Sequence, residues 1–139
     1  MEIREFKKED IKAVAKLIPQ LTVNIFNSES MEKRIEDIIN EPQTKAIVAE
    51  IDNKVVGFAM LAWYTIPSKG LVGWVEEVIV DENERSKGIG RKLMEELLII
   101  AKKLDCRQIK LTAANFIAQK LYESLGFTFK ETEVMIKKI

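Results

Sequence analysis

The chain has 139 residues, 47% of them apolar and 32% charged, which is the balance expected of one soluble globular domain spanning residues 1–139. Its 22 lysines and arginines equal its 22 aspartates and glutamates, so no overall field draws it to nucleic acid or anionic lipid. It has no histidine and a single cysteine, Cys106, which excludes an internal disulfide, histidine- or cysteine-based metal sites and the commonest general base. We therefore expect a site without metal, and no nucleic-acid partner.

The amino-terminal residues Met1–Glu5 alternate acidic and basic side chains and contain no apolar signal region. No apolar run approaches the roughly 20 residues that cross a bilayer, so no membrane partner is expected. Together with the lone cysteine, these features predict a reduced, cytoplasmic protein.

The first half of the chain alternates strand and helix patterns. Ile3 to Phe6 is typical of an opening strand. Helical spacing of apolar residues then predicts one helix ending at Pro19 and a second ending before Pro42. A strand hairpin follows, joined by the turn pair Asp52-Asn53.

The second half predicts, in order, a strand over Leu71–Val80, a helix after Gly90, a strand over Ile109–Ala113, a helix over Phe116–Leu125 and a final strand over Phe127–Ile136. The complete order is β-α-α-β-β-β-α-β-α-β. This alternation predicts a mixed α/β (α+β) fold in which helices cover a mixed sheet. The strand–helix–strand unit from Leu71 to Ala113 is its expected parallel, right-handed crossover.

The most informative stretch is Arg85-Ser86-Lys87-Gly88-Ile89-Gly90-Arg91, which links the strand ending at Val80 to the following helix. Its glycines allow the main chain to approach a ligand closely, and a helix N-terminus presents free N–H groups at the same place. The flanking cations add positive charge. The stretch is therefore predicted to bind phosphate, with a glycine-rich helix start that serves only packing as the alternative.

Two better-known phosphate motifs do not fit this loop: it lacks the Gly-Lys-Ser/Thr ending of a nucleotide-hydrolysing P-loop and the third glycine of a dinucleotide fingerprint. Arg85-x-x-Gly88-x-Gly90 after a Val-x-Val strand resembles instead the acetyl-CoA-binding signature of the GNAT family of N-acetyltransferases. The stretch from Asn115 to Phe127 resembles that family's second signature, with matches at Asn115, Ala118, Leu121, Tyr122, Gly126 and Phe127. The resemblance spans almost the whole chain, and the predicted element order equals the family's fold.

The resemblance implies a central mixed β-sheet of six or seven strands flanked by about four helices, with acetyl-CoA as co-substrate. It implies that an extended pantetheine arm pairs with the end of the strand before the loop. The pyrophosphate is then held by N–H groups from Ser86 through Arg91, and the thioester sulfur lies near Tyr122. The implied cofactor-binding residues are Val78, Ile79, Val80, Arg85, Ser86, Lys87, Gly88, Ile89, Gly90, Arg91, Asn115 and Tyr122. Members of the family commonly dimerise, so a homodimer is also allowed.

Acetyl transfer to an amine needs a proton acceptor for the amine, a partner for the oxyanion and a proton donor for the departing thiolate. The resemblance points to the main-chain N–H of Val78 as the oxyanion partner. Tyr122 is the candidate acid, because a phenol with a pKa of about 10 can protonate a thiolate yet stay protonated at rest. The alternative for Tyr122 is an amphipathic core residue at helical spacing.

Two adjacent carboxylates, Glu76 and Glu77, lie in a strand otherwise made of apolar residues. Successive strand side chains point to opposite faces, so at most one faces an acceptor cleft unless a bulge intervenes. A carboxylate in a partly buried cleft has a raised pKa, which suits it to accept a proton directly or through water. Glu77 is the favoured base because family branches carry acidic residues at the matching position. The alternative for each glutamate is a solvated or lysine-paired side chain.

The sequence therefore predicts an acetyl-CoA-dependent N-acetyltransferase, with a CoA-binding sensor or scaffold as the alternative. The acidic strand centre suits a cationic amine, whether a small molecule, a polyamine or a peptide amine, while Gly73–Val80 resembles the branch that acts on amino-sugar phosphates. Cys106 is predicted to be a core residue, since no histidine exists to activate it. Four aromatic residues are candidates to line the acceptor pocket, with core packing as the alternative: Phe26, Trp63, Tyr64 and Trp74.

Overall fold

The computed structural model describes residues 1–21 and 28–139. In that part of the chain the strands are β1 (Glu2–Glu5), β2 (Thr44–Ile51), β3 (Lys54–Ile66), β4 (Gly70–Val80) and β5 (Gln108–Lys110). The helices are α1 (Ile11–Leu17), α2 (Ser28–Asn40), α3 (Ile89–Lys103) and α4 (Phe116–Ser124), with short 3₁₀ turns at Lys8–Asp10, Ile18–Gln20 and Glu82–Glu84. No helix within these described ranges is both long and apolar enough to cross a membrane.

The five strands form one mixed sheet in the order β1-β2-β3-β4-β5. All neighbours are antiparallel except β4 and β5, which are parallel and are connected through α3, as the strand–helix–strand pattern predicted. The predicted hairpin between β2 and β3 is also confirmed. Asp52 and Asn53 have φ angles of 48° and 62°, the left-handed conformation that a two-residue hairpin turn requires.

A hydrophobic core lies on each face of the sheet. On one face, Leu93 and Leu97 of α3 pack against Leu61 of β3, and all three side chains are fully buried. On the other face, α1 and α2 cover a second core that contains Val14 and Phe58. Alternate residues of β3 serve the two cores, because side chains along a strand alternate between the faces of a sheet.

The first turn of the fold is fixed by an ion-pair network around Arg4. Its guanidinium donates to both carboxylate oxygens of Asp10, at 2.8 and 2.9 Å, and to Glu50 at 2.7 Å. Burial acts to raise the pKa of Asp10, but the hydrogen bonds from Arg4 and from the Lys7 N–H outweigh it and hold that pKa below its usual value. The network ties β1 and β2 to the start of α1.

The expectation of six or seven strands is wrong, because the described residues form five. The strand expected over Phe127–Ile136 is absent, and the fifth strand ends at Lys110 rather than Ala113. The alternation of Phe127 and Phe129 is interrupted by Glu131-Thr132-Glu133, and side chains beyond Phe127 are exposed. Without a paired neighbour or buried side chains, little offsets the entropy of ordering an extended segment.

Candidate active site

The site begins where β4 and β5 separate. β4 is 11 residues long, but β5 pairs only with Val72, Gly73 and Trp74. From Val75 to Val80, β4 has no strand partner on its β5 side within the described residues. An unpaired strand edge presents N–H and C=O groups that an extended ligand can use. The three predicted pantetheine-binding residues, Val78, Ile79 and Val80, all lie in this stretch.

A β-bulge lies in the same stretch of β4. Met60 pairs with Glu76, and Phe58 pairs with Ile79. Two residues of β4, Glu77 and Val78, therefore lie opposite the one residue of β3 between Phe58 and Met60. Glu77 has a φ of 55°, as the extra residue of the bulge. The bulge that the sequence argument left open is therefore present.

The two glutamates differ in their surroundings. Glu76 lies opposite Met60, whose side chain packs against the core beneath α1 and α2, so Glu76 is on that face of the sheet. Glu77 occupies the bulge itself. Partial desolvation raises the pKa of Glu77, and the charge of Glu76 raises it further. A raised pKa brings a carboxylate closer to the working range of a general base.

The loop after β4 has the main-chain geometry of an anion cradle. Ser86 and Gly88 have φ angles of 64° and 81°, and Lys87 between them has a negative φ. Such alternation turns successive N–H groups toward one concave surface. Gly88 then caps α3, which begins at Ile89. The N–H groups from Ser86 to Arg91 donate to no other group in the described part of the chain, so they are available to an anion.

The cations around this loop already have protein partners. Arg85 donates from Nε to the Val80 carbonyl at 3.0 Å, and Lys87 donates to Glu84 at 2.7 Å. Arg91 donates to Glu95 at 3.0 Å and to the Ser124 hydroxyl at 2.8 Å, which links α3 to α4. The side chains thus fasten the loop, while its main chain presents the free donors.

Two predicted residues belong to α4 or to its cap. Asn115 is its N-cap, because the side-chain oxygen accepts from the Ala118 N–H at 2.9 Å. Tyr122 lies further along α4 and is half-buried. Its ring packs edge-on against the ring of Phe127, with 5.9 Å between the two ring centres. Burial raises the pKa of the Tyr122 phenol, so the hydroxyl carries its proton at neutral pH.

A cavity of about 570 Å³ wraps around the free edge of β5 and brings some of these residues together. Tyr122, Trp74 and Lys110 line it, along with Gln119 and Glu123. Lys110 was missed in the sequence. The alternation of Ile109, Lys110 and Leu111 indicated a polar face for that strand, but the register that sets Lys110 beside Trp74 is visible only in the structure.

The candidate aromatic residues separate into two groups. Trp74 donates from its indole N–H to the Tyr64 hydroxyl at 3.0 Å, so these two lie together. Trp63 is on the opposite face and packs against the α3-side core, which is its structural role. Phe26 lies outside the described residues. Cys106 packs against the α3-side core, as predicted, and burial raises the pKa of its thiol.

The residues described, 1–21 and 28–139, include no group of three or more cysteine, aspartate and glutamate side chains that could hold a metal ion. The features they do bring together are a strand edge without a partner, a cradle of free N–H groups at a helix start, and a half-buried phenol. An unpaired strand edge and a cradle of N–H groups are the features by which proteins bind extended chains and anions, respectively.

Fold and site together define a mixed α/β protein in which two parallel strands diverge beside a loop of free main-chain N–H groups. Comparison with known proteins gives the family: the chain belongs to the Acetyltransferase (GNAT) family, which it matches over residues 11–127. The resemblance seen in the sequence is therefore confirmed, and the protein is an N-acetyltransferase.

Individual relatives cover most of the chain. It is 26% identical over 130 residues to glucosamine 6-phosphate N-acetyltransferase 1 of Dictyostelium discoideum, covering 90% of this chain and 82% of the relative. It is 28% identical over 123 residues to spermine/spermidine N(1)-acetyltransferase of Bacillus subtilis (strain 168), covering 80% and 81%. The crystal structure of glucosamine-6-phosphate N-acetyltransferase from Arabidopsis thaliana has the same fold, with a TM-score of 0.83, 24% identity and coverage of 98% and 97%.

Proposed function

We propose that the protein transfers an acetyl group from acetyl-CoA to an amine by direct attack, with Tyr122 as general acid. One observation carries the proposal: the free N–H groups of the loop from Ser86 to Arg91 adjoin the unpaired edge of β4. A ligand with a pyrophosphate next to an extended, hydrogen-bonding arm matches both features. We also propose a cytoplasmic location, which the single cysteine supports.

Acetyl-CoA fits the residues present. The pantetheine arm would be held by the main chain of Val78, Ile79 and Val80. The pyrophosphate would be held by the N–H groups from Ser86 through Arg91. The amide nitrogen of Asn115 has no partner among the described residues, since the cap uses only its oxygen, so it can bind the arm. Arg85 and Lys87 fasten the loop and add charge. When bound, acetyl-CoA supplies an activated acyl group.

Three groups of the protein then transfer the protons and stabilise the negative charge that develops during the reaction. Glu77, with its raised pKa, accepts the proton of the acceptor ammonium directly or through water, with Glu76 beside it. The N–H of Val78, next to the bulge, donates to the oxygen on which negative charge develops. Tyr122 keeps its proton at neutral pH because burial raises its pKa, and it gives that proton to the leaving thiolate.

The first experiment separates binding from catalysis. Acetyl-CoA at 100 times its dissociation constant should stabilise the protein by about 2.7 kcal/mol, measured as a thermal shift. Tyr122→Phe should keep this shift but lower kcat about 100-fold in a thiol-release assay over a panel of amines. Unchanged turnover in Tyr122→Phe would contradict the acid role. A normal thermal shift with no thiol release for any amine would instead favour the CoA-binding sensor.

A further inference from the structure

The proposed function leaves the acceptor open, and the following inference, which depends on that function, concerns its charge. Lys110 and Tyr122 line the same cavity, and the Lys110 ammonium lies 5.6 Å from the centre of the Trp74 ring. Among the residues described, no carboxylate lies within 4.0 Å of that ammonium. The Trp74 indole is itself held by Tyr64. The cavity therefore contains a positioned cation without a counterion.

The strand register fixes where this cation lies relative to the glutamates. Lys110 is directly opposite Trp74 in the parallel pair of β4 and β5. Glu76 is two residues beyond Trp74 on β4, before the bulge, so it shares the Trp74 face and lies about 7 Å along the strand. Since neighbouring strands are about 4.8 Å apart, the backbone positions of Lys110 and Glu76 are separated by about 8 Å on the diagonal.

This spacing matches a small molecule with two unlike charges. An acceptor whose ammonium lies near Glu76 and Glu77 can place a second group several ångströms away, close to Lys110. An anionic group gains a charge-assisted hydrogen bond there, whereas a second ammonium is repelled. Glu76 and Glu77 alone predict a purely cationic acceptor, whereas Lys110 predicts an acceptor that also carries an anionic group.

We propose that Lys110 makes the site selective for acceptors that carry an anionic group, either phosphate or carboxylate, several ångströms from the reacting amine. Lys110 is a binding residue for the acceptor, and it acts on affinity rather than on the acetyl-transfer step. Substitution should therefore raise KM for anionic acceptors and leave kcat unchanged.

The test compares matched pairs of acceptors by calorimetry with CoA present. Glucosamine 6-phosphate against glucosamine examines a phosphate, and an α-amino acid against its amide examines a carboxylate. The wild type should prefer at least one anionic member by about 10- to 100-fold, with spermidine bound no better than the neutral compounds. Lys110→Met should abolish that preference without weakening the neutral partner, and Lys110→Arg should retain it.

Lys69→Met is the matched control, since Lys69 is an exposed lysine in the turn before β4, at the opposite end of that strand from the bulge. It should keep the wild-type preference. The proposal is overturned if wild type binds both members of each pair equally, binds neither anionic member, or prefers spermidine. It is also overturned if Lys110→Met weakens both members of a pair alike. Failure of the proposed function has a separate signature: anionic preference persists, but no amine releases thiol from acetyl-CoA.

Discussion

Glu77 is held in a backbone conformation that side chains other than glycine rarely adopt, with a φ of 55°. Such a conformation costs a non-glycine residue about 1 kcal/mol. Glu77→Gly should therefore raise the free energy of unfolding by about 1 kcal/mol in urea denaturation, while lowering kcat because the base is lost. Glu77→Gln also removes the carboxylate but keeps the strained φ. Equal stability of the two variants would contradict the strain argument.

The raised pKa of Glu77 predicts how rate and stability depend on pH. Its charged form is disfavoured in the folded protein, so a stability penalty is absent below the ordinary glutamate pKa of about 4.3 and appears as pH rises through the raised value. Glu77→Gln should be more stable than wild type at pH 7, and this difference should vanish near pH 4. As a base, Glu77 loses function as pH falls through the same pKa. Thermal unfolding and kcat/KM profiles across this range measure both effects, and an acid limb that persists in Glu77→Gln would exclude Glu77 as the base.

The candidate site was predictable at the residues whose role depends on local chain geometry. Gly88 and the strand before it predicted a phosphate cradle, and in the structure Gly88 has the left-handed conformation and caps α3. Lys110 was not predictable in the same way. Its relation to Trp74 depends on the register of two strands separated by α3, which the local pattern does not contain.

At the scale of the loop and α3, the two glycines have different tasks. A Cβ on Gly88 would contact no atom within 4 Å, but the φ of 81° is unfavourable for any residue that has a side chain. A residue forced away from that φ would also change the backbone of the cradle, of which Gly88 is part. A Cβ on Gly90 would meet Leu121 and Val80 at 3.8 Å, which is ordinary contact. Gly88→Ala should weaken acetyl-CoA binding at least about 10-fold, while Gly90→Ala stays near wild type, in thermal-shift titrations. The reverse order would contradict the proposed geometry of the cradle.

Secondary structure was predicted best where the sequence signal lies within the element itself. The apolar stripe of α3 and the turn residues Asp52 and Asn53 are local signals, and both elements are present. The strand expected over Phe127–Ile136 had only alternation in its favour. A strand also needs a partner, and β5, with three paired residues, offers little edge to pair with.

At the scale of the whole molecule, the Arg4 network determines how the first strand and helix join the sheet. The pKa of Asp10 is lowered, so its stabilising effect is complete above the unfolded-state pKa of about 3.9 and is lost as pH falls below that value. Asp10→Asn should cost about 1–3 kcal/mol of unfolding free energy at pH 7, and this cost should shrink as pH falls toward the lowered pKa of Asp10. The control is Asp37→Asn, which removes an exposed ion pair with Lys33 and should change stability by less than about 0.5 kcal/mol. A cost for Asp10→Asn that is independent of pH would show that packing, not charge, is responsible.

The C-terminal segment affects how the whole molecule associates, because it exposes several large apolar side chains. Val134, Met135 and Ile136 are 73%, 93% and 87% exposed. Adjacent exposed apolar residues are uncommon on monomeric proteins, and they favour self-association. We therefore expect the protein to form homodimers at rising concentration in sedimentation velocity, and Ile136→Lys to shift it toward the monomer. Ile99→Lys is the matched control, since it places the same charge at an exposed apolar residue of α3 and should leave association unchanged. A wild-type protein that stays monomeric, or an equal effect of both substitutions, would show that this segment does not mediate association.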